Sequence, residues 1–481
     1  MLATLLPWSV VTFGLYISIV AIWYVFLHPL RRIPGPKLWI TFPVLRYISV
    51  VNGTFDGNMR AFHGRYGPVV RYSRDEVSFT TAEAWQDICG HGHRLPKVLS
   101  STANKFDIIA ANDENHSRYR KALSHAFSAK GLQGQEPLLN SHVDKLIERL
   151  NGVAESGLPA DMVKWYNLTT FDILGDLAFG EPFGGLDSSE YHHWVAFIKL
   201  KDAYPVVFQF FQALLPRAII EARKEQVIHP RMTVQKRLQN ASAYNRGDFM
   251  DSMLRHRGEK DGLTNLELEA NSNILIIAGS ETTATLLSGA TYWLLRTSDV
   301  LAKLTSEVRS VMKTEGDITF QKVTADLPYM LACFNEAFRL YPPVPTGLQR
   351  RIIDPANISG YDIPPGTKVS VHQLATYHSP SNFHRADCFI PERWFPETKS
   401  DPTSLFFSDN REAVQAFSVG PRNCIGRKLA FAEMRVILAR VLWSFDLELC
   451  EESASWNDQK TYPLWEKPPL MCTLRRRETA V

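Results

Sequence analysis

Residues 417–426 of this 481-residue sequence read FSVGPRNCIG, and a helix-like run from Arg427 to Leu442 follows them directly. This stretch places Cys424 just ahead of a helix start, where the helix dipole and free backbone N–H groups favour a thiolate. A lone cysteine is ordinarily an inert, buried side chain. We accept that ordinary interpretation for the other five cysteines, which are Cys89, Cys333, Cys388, Cys450 and Cys472.

The neighbours of Cys424 fit a functional thiolate. Gly420 lets the loop turn tightly and aim N–H groups at the sulfur, and Gly426 lets the backbone approach a flat cofactor closely. Arg422 can pair with a carboxylate on such a cofactor, and Phe417 can cover the sulfur from water. The pattern as a whole predicts that Cys424 has a chemical role.

A second motif pairs Glu336 with Arg339 inside a helical stretch, where positions three apart lie on one face. Such pairs usually lie on a solvated face. Apolar residues surround this one, which favours a buried pair, and a buried pair needs further partners. Arg393, further along the chain, offers a second arginine.

A third motif, AGSETT at residues 278–283, lies in the middle of a long apolar stretch. Glycine and serine are poor choices for a helix interior unless something must approach closely. The hydroxyl of Thr282 can bond to the carbonyl of Ala278 and so loosen the helix locally. Glu281 beside it supplies a route for protons. A threonine-rich helix that only packs against its neighbours is the equal alternative.

The segment Leu5–Leu27 carries no charged residue and reaches the roughly 20 residues that a membrane-spanning helix needs. Arg31 and Arg32 follow it at once, so the positive-inside rule places the rest of the chain in the cytosol. A cleaved signal peptide, with a basic start and a shorter apolar core, is the alternative. We predict a membrane anchor over residues 1–30, a proline-rich hinge over 31–36 and a single domain over 37–481.

Composition narrows the classes further. The 53 basic and 50 acidic residues give a net charge of +3, so global charge does not indicate a nucleic-acid partner. The six cysteines are widely spread, without metal-ligand spacing or a disulfide framework. This usage indicates a reducing compartment.

Helical periodicity dominates the middle of the chain, so we expect a mostly α single domain with small β-sheets. The predicted helices are His116–Ser128, Leu138–Val153, Trp165–Phe179, Tyr191–Phe211, Leu266–Leu295 and Met330–Tyr341. The predicted strands are Val69–Tyr72, Val77–Thr80, Arg350–Ile352 and Lys368–Val371, with a turn at residues 362–366 between two late strands.

Together these motifs resemble the cytochrome P-450 superfamily, and within it the microsomal type from fungi, over essentially the whole chain from Leu5 onward. Residues 417–426 match the haem-binding loop of that superfamily in full, and residues 278–283 match its oxygen-activation segment. Glu336 and Arg339 match its Glu-x-x-Arg helix, with Arg393 as the third member of a structural triad. The resemblance implies a haem domain of the cytochrome P-450 type behind one transmembrane helix.

The resemblance also implies the roles of individual residues. Cys424 would be the axial thiolate and metal ligand of a haem b iron, with Phe417 and Gly426 beside it. Glu281 and Thr282 match the catalytic acid–alcohol pair. The haem propionates would be bound by Arg422, Arg120, His116 and Arg350, with Arg351 as the alternative to Arg350. His116 departs from the tryptophan that the family has at this position, although an imidazole can still donate to a carboxylate.

Partners follow from the same resemblance. No dinucleotide-binding fingerprint is present, so electrons would come from a separate NADPH-cytochrome P-450 reductase in the endoplasmic reticulum membrane. The catalytic domain would be cytosolic and held by membrane lipid. We expect a basic docking patch on the thiolate side of the haem, formed by Lys121, Lys130, Arg427 and Lys428.

The resemblance implies a monooxygenase that inserts one oxygen atom into a hydrophobic small molecule, and the chain most resembles fungal secondary-metabolism enzymes such as trichothecene-pathway hydroxylases. Its substrate-facing stretches map to residues 96–111, 197–215, 273–282, 344–348 and 462–465. Two alternatives are a haem-thiolate isomerase or dehydratase that needs no external electrons, and a non-enzymatic membrane protein that binds a lipid or sterol. An intact Glu281–Thr282 pair disfavours the first, and the Cys424 loop disfavours the second.

The predicted topology can be tested on the native protein. Glycosylation sequons begin at Asn52, Asn115, Asn167, Asn240 and Asn357. Because a cytosolic body never meets the glycosylation machinery, we expect that none of them is modified. Treatment with a glycosidase should leave the mass unchanged, and a mass shift would contradict the predicted orientation.

Overall fold

The computed structural model describes residues 12, 14–92, 95–99, 103–190, 228, 231–239, 246–255, 257–462 and 464–477. Helices dominate this part of the chain. They are α1 Gly14–Leu27, α2 Lys37–Thr41, α3 Val44–Val51, α4 Phe55–Tyr66, α5 Glu83–Cys89, α6 Asp113–Leu123, α7 Ala129–Ser156, α8 Met162–Phe179, α9 Gly185–Ser188, α10 Phe249–Leu254, α11 Asn265–Leu295, α12 Ser298–Val311, α13 Phe320–Ala325, α14 Pro328–Leu340, α15 Gln373–Tyr377, α16 Glu397–Ser400 and α17 Arg427–Ser444. Short 3-10 turns occupy Pro29–Arg32, Glu315–Asp317, Pro391–Trp394, Arg411–Ala413 and Glu451–Ser453.

Three small sheets complete the described part of the fold. Their strands are β1 Val69–Arg71, β2 Glu76–Phe79, β3 Ala160–Asp161, β4 Arg350–Arg351, β5 Ala356–Ile358, β6 Tyr361–Ile363, β7 Lys368–Val371, β8 Phe445–Leu449 and β9 Met471–Arg476. The first sheet has the order β1-β2-β7-β4, with β2 and β7 parallel and the other pairs antiparallel. The second has the order β3-β9-β8, and β5 pairs with β6. In the first sheet Val369 lies opposite Arg350, which fixes the position of that arginine.

The long helix α11 runs through the core and packs against α8. It begins with a capping box in which the Thr264 hydroxyl accepts from the Glu267 N–H and the Glu267 carboxylate accepts from the Thr264 N–H. A Cβ at Gly279 would lie 2.9 Å from the Leu174 side chain of α8, and one at Gly289 would collide with the ring of Tyr341. The glycines of α11 therefore allow neighbouring side chains to approach its backbone closely.

Helix α1 is the described part of the predicted anchor. Among the described helices, the one that is long and apolar enough to cross a membrane is α11, which is mostly buried inside the protein. Helix α1 is shorter and apolar, and it exposes Leu15, Ile19 and Ile22. A transmembrane helix at the N-terminus therefore stays a prediction.

The chain that follows α1 is tied to the folded body. The buried guanidinium of Arg71 donates to the carbonyl of Tyr24 at 2.7 Å, and Arg74 lies 4.7 Å above the centre of the Tyr24 ring. Leu30 and Ile33 are buried in the apolar cluster that covers the first sheet. These contacts cap the carbonyl end of α1 and fix its direction.

The predicted mostly α fold with small sheets is confirmed, whereas several predicted helix bounds are wrong. The helix predicted as His116–Ser128 ends at Leu123, and the Ser128 side chain instead caps the next helix by accepting from the Gly131 N–H. That next helix contains the predicted Leu138–Val153 and begins before it, with Pro137 in its interior. The predicted helix Tyr191–Phe211 lies outside the described residues.

The Glu336 carboxylate lies fully buried between the two predicted arginines. Arg339 donates to it from Nε at 2.8 Å and from Nη2 at 2.7 Å, and Arg393 donates from Nε at 3.0 Å. The backbone N–H of Ile390 and the indole N–H of Trp394 each add a bond of 2.9 Å. Burial raises the pKa of Glu336, but Arg339 and then Arg393 outweigh that effect and hold the pKa below its usual value.

The guanidinium groups of Arg339 and Arg393 also have further hydrogen-bond acceptors. Arg339 also donates to the carbonyl oxygens of Tyr377 and Cys388, both at 2.9 Å, and Arg393 pairs with the buried carboxylate of Asp409. This cluster joins α14 to the segment that leads into the Cys424 loop. It has the further partners that a buried ion pair needs.

We expect Arg339→Ala to yield little folded protein. The change leaves Glu336 buried beside one arginine fewer, and breaking a buried pair costs about 3–5 kcal/mol, a large share of the roughly 5–15 kcal/mol that stabilises most domains. Arg475→Ala is the control, since Arg475 and its partner Glu448 are 73% and 68% exposed. Soluble yield and thermal unfolding midpoint are the measurements. Equal midpoints for the two variants would contradict a structural role for the cluster.

Candidate active site

The Cys424 loop is held by its own backbone and by the end of α5. The Cys424 N–H donates to the Phe417 carbonyl at 2.9 Å, and the Asn423 N–H donates to the Gly420 carbonyl at 3.2 Å. Gly420 has a φ of +74°, and a Cβ there would collide with the carbonyl oxygen of Cys89. Only glycine fits this position without moving the loop, as the sequence predicts.

The thiol of Cys424 is reachable yet crowded. It is the one exposed cysteine of the six. Crowding by protein atoms raises the pKa of the Cys424 thiol, whereas the N–H groups of Gly426 and Arg427 and the charge of Arg120 lower it. A metal ion placed against Sγ would favour the thiolate there.

Aromatic rings back the loop on its protein side. The Phe417 ring lies 5.1 Å from that of Phe338 in α14 and 5.5 Å from that of Phe431 in α17, measured between ring centres. The guanidinium of Arg427 lies 5.7 Å from the centre of the Phe417 ring. Phe417 therefore joins the loop to both helices, and its covering of the sulfur stays a prediction.

Four of the predicted cofactor-binding residues gather near this loop. Arg120 in α6 donates to the backbone oxygen of Asn423 at 2.7 Å and to its side-chain oxygen at 2.6 Å. Arg422 bonds to the carbonyl oxygen of Ala111 and lies 3.5 Å from the carboxylate of Asp113. His116 is buried in the same helix as Arg120, and Arg350 is buried in β4.

Lys97 joins this group, although no motif in the sequence predicts it. It forms a β-bridge with Arg350 and donates from Nζ to the carbonyl oxygen of Ile109 at 2.9 Å. Burial, followed by the charges of Arg422 and Arg350, lowers the pKa of Lys97 to about 8. A single lysine in an irregular segment gives no periodic signal, so only the paired strand reveals its position. Arg351, the alternative to Arg350 as a ligand of the propionates, is exposed.

The cluster has more positive charge than its own carboxylates match. Burial and the charges of Arg422, Lys97 and Arg120 lower the pKa of His116 to about 4, so His116 is a neutral donor at neutral pH. Buried nitrogens Nε and Nη1 of Arg422 and Nε of Arg350 have no hydrogen-bond partner among the described residues. Unpaired buried donors are costly, so this arrangement fits a ligand that brings carboxylates. A haem with two propionates meets that requirement.

The oxygen-activation motif lies on α11, which stays helical through it. The predicted bond from the Thr282 hydroxyl to the Ala278 carbonyl is present at 2.6 Å, and the local loosening that it would cause stays a prediction. Gly279 is approached by Leu174 of α8.

Glu281 forms an ion pair with Lys467, which also donates to the Thr285 hydroxyl at 2.5 Å. The sequence does not indicate Lys467, which is 186 positions from Glu281.

The proposed docking residues Lys121, Lys130, Arg427 and Lys428 are all exposed. Lys121 lies 3.6 Å from Asp261, and the two side chains are 70% and 63% exposed. An exposed pair of this kind contributes little to stability, so Lys121 remains available to a partner.

Comparisons with known proteins agree with this geometry. Residues 33–473 match the family model described as Cytochrome P-450. The cytochrome P-450 monooxygenase olcB of Penicillium canescens is 59% identical over 476 residues, which is 96% of this chain and 97% of that protein. The trichothecene C-4 hydroxylase of Trichoderma arundinaceum is 55% identical over 471 residues, 95% of this chain and 94% of that protein. An averantin hydroxylase of Dothistroma septosporum is 41% identical over 471 residues, 94% and 88% of the two chains.

Proposed function

This chain belongs to the cytochrome P-450 family, and on that premise we propose that Cys424 ligates the iron of a haem b with which the enzyme hydroxylates an apolar fungal secondary metabolite. The observation that carries the assignment is the position of Cys424. It is the one exposed cysteine, its sulfur accepts from the N–H groups of Gly426 and Arg427 at the start of α17, and Arg120 of the cation cluster is close enough to lower its pKa. No other cysteine of the chain has such surroundings.

The residues that would hold the haem follow from that geometry. Cys424 would be the axial ligand, with Gly426 and Phe417 beside the sulfur. Arg422, Arg350, Arg120, His116 and Lys97 would bind the propionates, and Arg120 would have to share its bonds with Asn423. When bound, the haem supplies the activation of dioxygen, and the thiolate favours cleavage of the O–O bond.

Two residues of α11 would manage protons in this reaction. The Thr282 hydroxyl can hold an ordered water and pass on a proton, because its oxygen keeps acceptor capacity while it donates to Ala278. The Glu281 carboxylate, one residue away and 15% exposed, would supply protons to it. Timely proton delivery is what separates product formation from the loss of hydrogen peroxide.

The partners follow from exposed surface. NADPH-cytochrome P-450 reductase would dock on the exposed residues Lys121 at the end of α6, Lys130 at the start of α7, and Arg427 and Lys428 at the start of α17. Membrane lipid would contact α1 and the exposed apolar side chains of α2 and α3, which are Leu38, Phe42, Val44, Tyr47, Ile48 and Val51. The protein would be a single-pass protein of the endoplasmic reticulum with its body in the cytosol. Its domains would be the anchor over residues 1–30, the hinge over 31–36 and the haem domain over 37–481.

The substrate class rests on the relatives and on the apolar stretches that the resemblance implies to face the substrate, of which residues 197–215 lie outside the described residues. A trichothecene that lacks a C-4 hydroxyl group is the first compound to test, because a C-4 hydroxylase is among the similar proteins. The isomerase or dehydratase and the lipid-binding protein gain no support from these relatives, which are monooxygenases and hydroxylases.

We expect Cys424→Ala to abolish thiolate-ligated haem, while Cys89→Ala, Cys333→Ala, Cys388→Ala, Cys450→Ala and Cys472→Ala each retain it. The reason is that Cys424 alone combines exposure with N–H groups directed at its sulfur. The measurement is the absorption spectrum of the reduced, carbon monoxide-bound protein, in which thiolate ligation shifts the Soret band strongly to the red. A wild-type spectrum in Cys424→Ala would remove the assignment.

We expect Thr282→Ala to keep haem and substrate binding but to divert reducing equivalents into hydrogen peroxide, because the hydroxyl that relays the proton is gone. Glu281→Gln should instead slow turnover more than it uncouples it. Product, reductant and peroxide are measured in one assay with the reductase and the trichothecene probe. Unchanged coupling in Thr282→Ala would show that Thr282 only packs, and turnover without any reductase would favour the isomerase.

A further inference from the structure

The Glu281 carboxylate is held by a lysine from a distant part of the chain. Lys467 Nζ donates to Glu281 Oε1 and, at 2.5 Å, to the hydroxyl of Thr285 one turn further along α11. The side chain of Lys467 is 1% exposed, and that of Glu281 is 15% exposed. An ammonium group that is this deeply buried is costly unless its partners match it well.

The segment that carries Lys467 is fixed on α11 by aromatic contacts. Trp465 stacks on Tyr341 with 4.4 Å between ring centres, and its indole N–H donates to the Pro342 carbonyl at 2.7 Å. Tyr341 lies against Gly289 of α11 and donates to the Gln459 side chain at 2.7 Å. The charge of Glu281 also contributes to the raised pKa of Tyr341, after burial. Lys467 is therefore presented to Glu281 by a rigid support.

We propose that Lys467 is a positioning residue for proton delivery, which holds the Glu281 carboxylate in place beside Thr282. The proposal rests on the proposed function, since it assigns Lys467 a role only through Glu281. Thr285 supports the arrangement by accepting a second hydrogen bond from the same ammonium group. The purely structural alternative is that Lys467 only neutralises a buried carboxylate and stabilises the fold.

A double-mutant cycle separates the two roles. The proteins are wild type, Glu281→Gln, Lys467→Met and the double variant, each loaded with haem and supplied with the reductase. Methionine keeps most of the length of the side chain and removes its charge. Lys460→Met is the matched control, because Lys460 belongs to the same segment and is exposed. The readouts are reductant consumption, the peroxide released per reductant, the thermal unfolding midpoint and the spectral titration with the trichothecene probe.

If Lys467 acts through Glu281, Lys467→Met reproduces the effect of Glu281→Gln. Reductant consumption should fall about tenfold, less than the ~100-fold or more that a general acid contributes in full. The peroxide share should stay within about twofold of wild type, and the double variant should be no slower than Glu281→Gln within the same margin. The probe should bind equally well to all five proteins, and Lys460→Met should behave as wild type.

Other results overturn the proposal. If Lys467→Met slows the Glu281→Gln enzyme as much as it slows wild type, then Lys467 acts independently of Glu281. If the two single changes lower the unfolding midpoint, the double variant restores it and consumption is unaffected, the pair is purely structural. A wild-type protein without a thiolate-haem spectrum would instead refute the proposed function itself, which is recognised before the cycle begins.

Discussion

The buried carboxylate of Glu336 is the group on which the thiolate side of this fold depends. It receives hydrogen bonds from Arg339, Arg393, Ile390 and Trp394, which come from helix α14 and from the segment after residue 389. Arg393 continues the network to Asp409, from where the chain runs into the Cys424 loop. A charge without water must be matched on every side, so these segments have one mutual arrangement. The position of the Cys424 loop follows from the position of these segments.

The two faces of the site are built by different kinds of interaction. Behind the loop, the rings of Phe417, Phe338 and Phe431 pack against one another. At its edge, positive charge gathers beyond what local carboxylates neutralise, and burial followed by this charge lowers the pKa of both Lys97 and His116. A dianionic cofactor would relieve that repulsion when it binds. Part of the binding free energy of such a cofactor would therefore come from the relief of repulsion among the protein's own cations.

The sequence predicts what is encoded locally. Gly420 must be glycine because of the conformation of a single turn, and Glu336 and Arg339 are one helical turn apart, so both are visible in a linear pattern. Lys97 and Lys467 are not, because their partners are 253 and 186 positions away and neither belongs to a periodic segment. The predicted helix His116–Ser128 extends beyond the end of α6 because Ser128 is the N-cap of the next helix and not a residue of α6.

The hydrogen bond from Arg71 to the Tyr24 carbonyl would limit the motion of the body relative to α1 if that helix lies in a bilayer as proposed. A loosely tethered enzyme would swivel over the lipid and sample many tilts. In this protein the last turn of α1 is bound to the hairpin of β1 and β2 through Arg71 and Arg74. The helix and the folded body would therefore change their orientation together. The tilt of that helix, which bilayer thickness influences, would then set the angle at which the body meets lipid-dissolved substrates. The thickness of the membrane would thereby influence how the enzyme reaches its substrate.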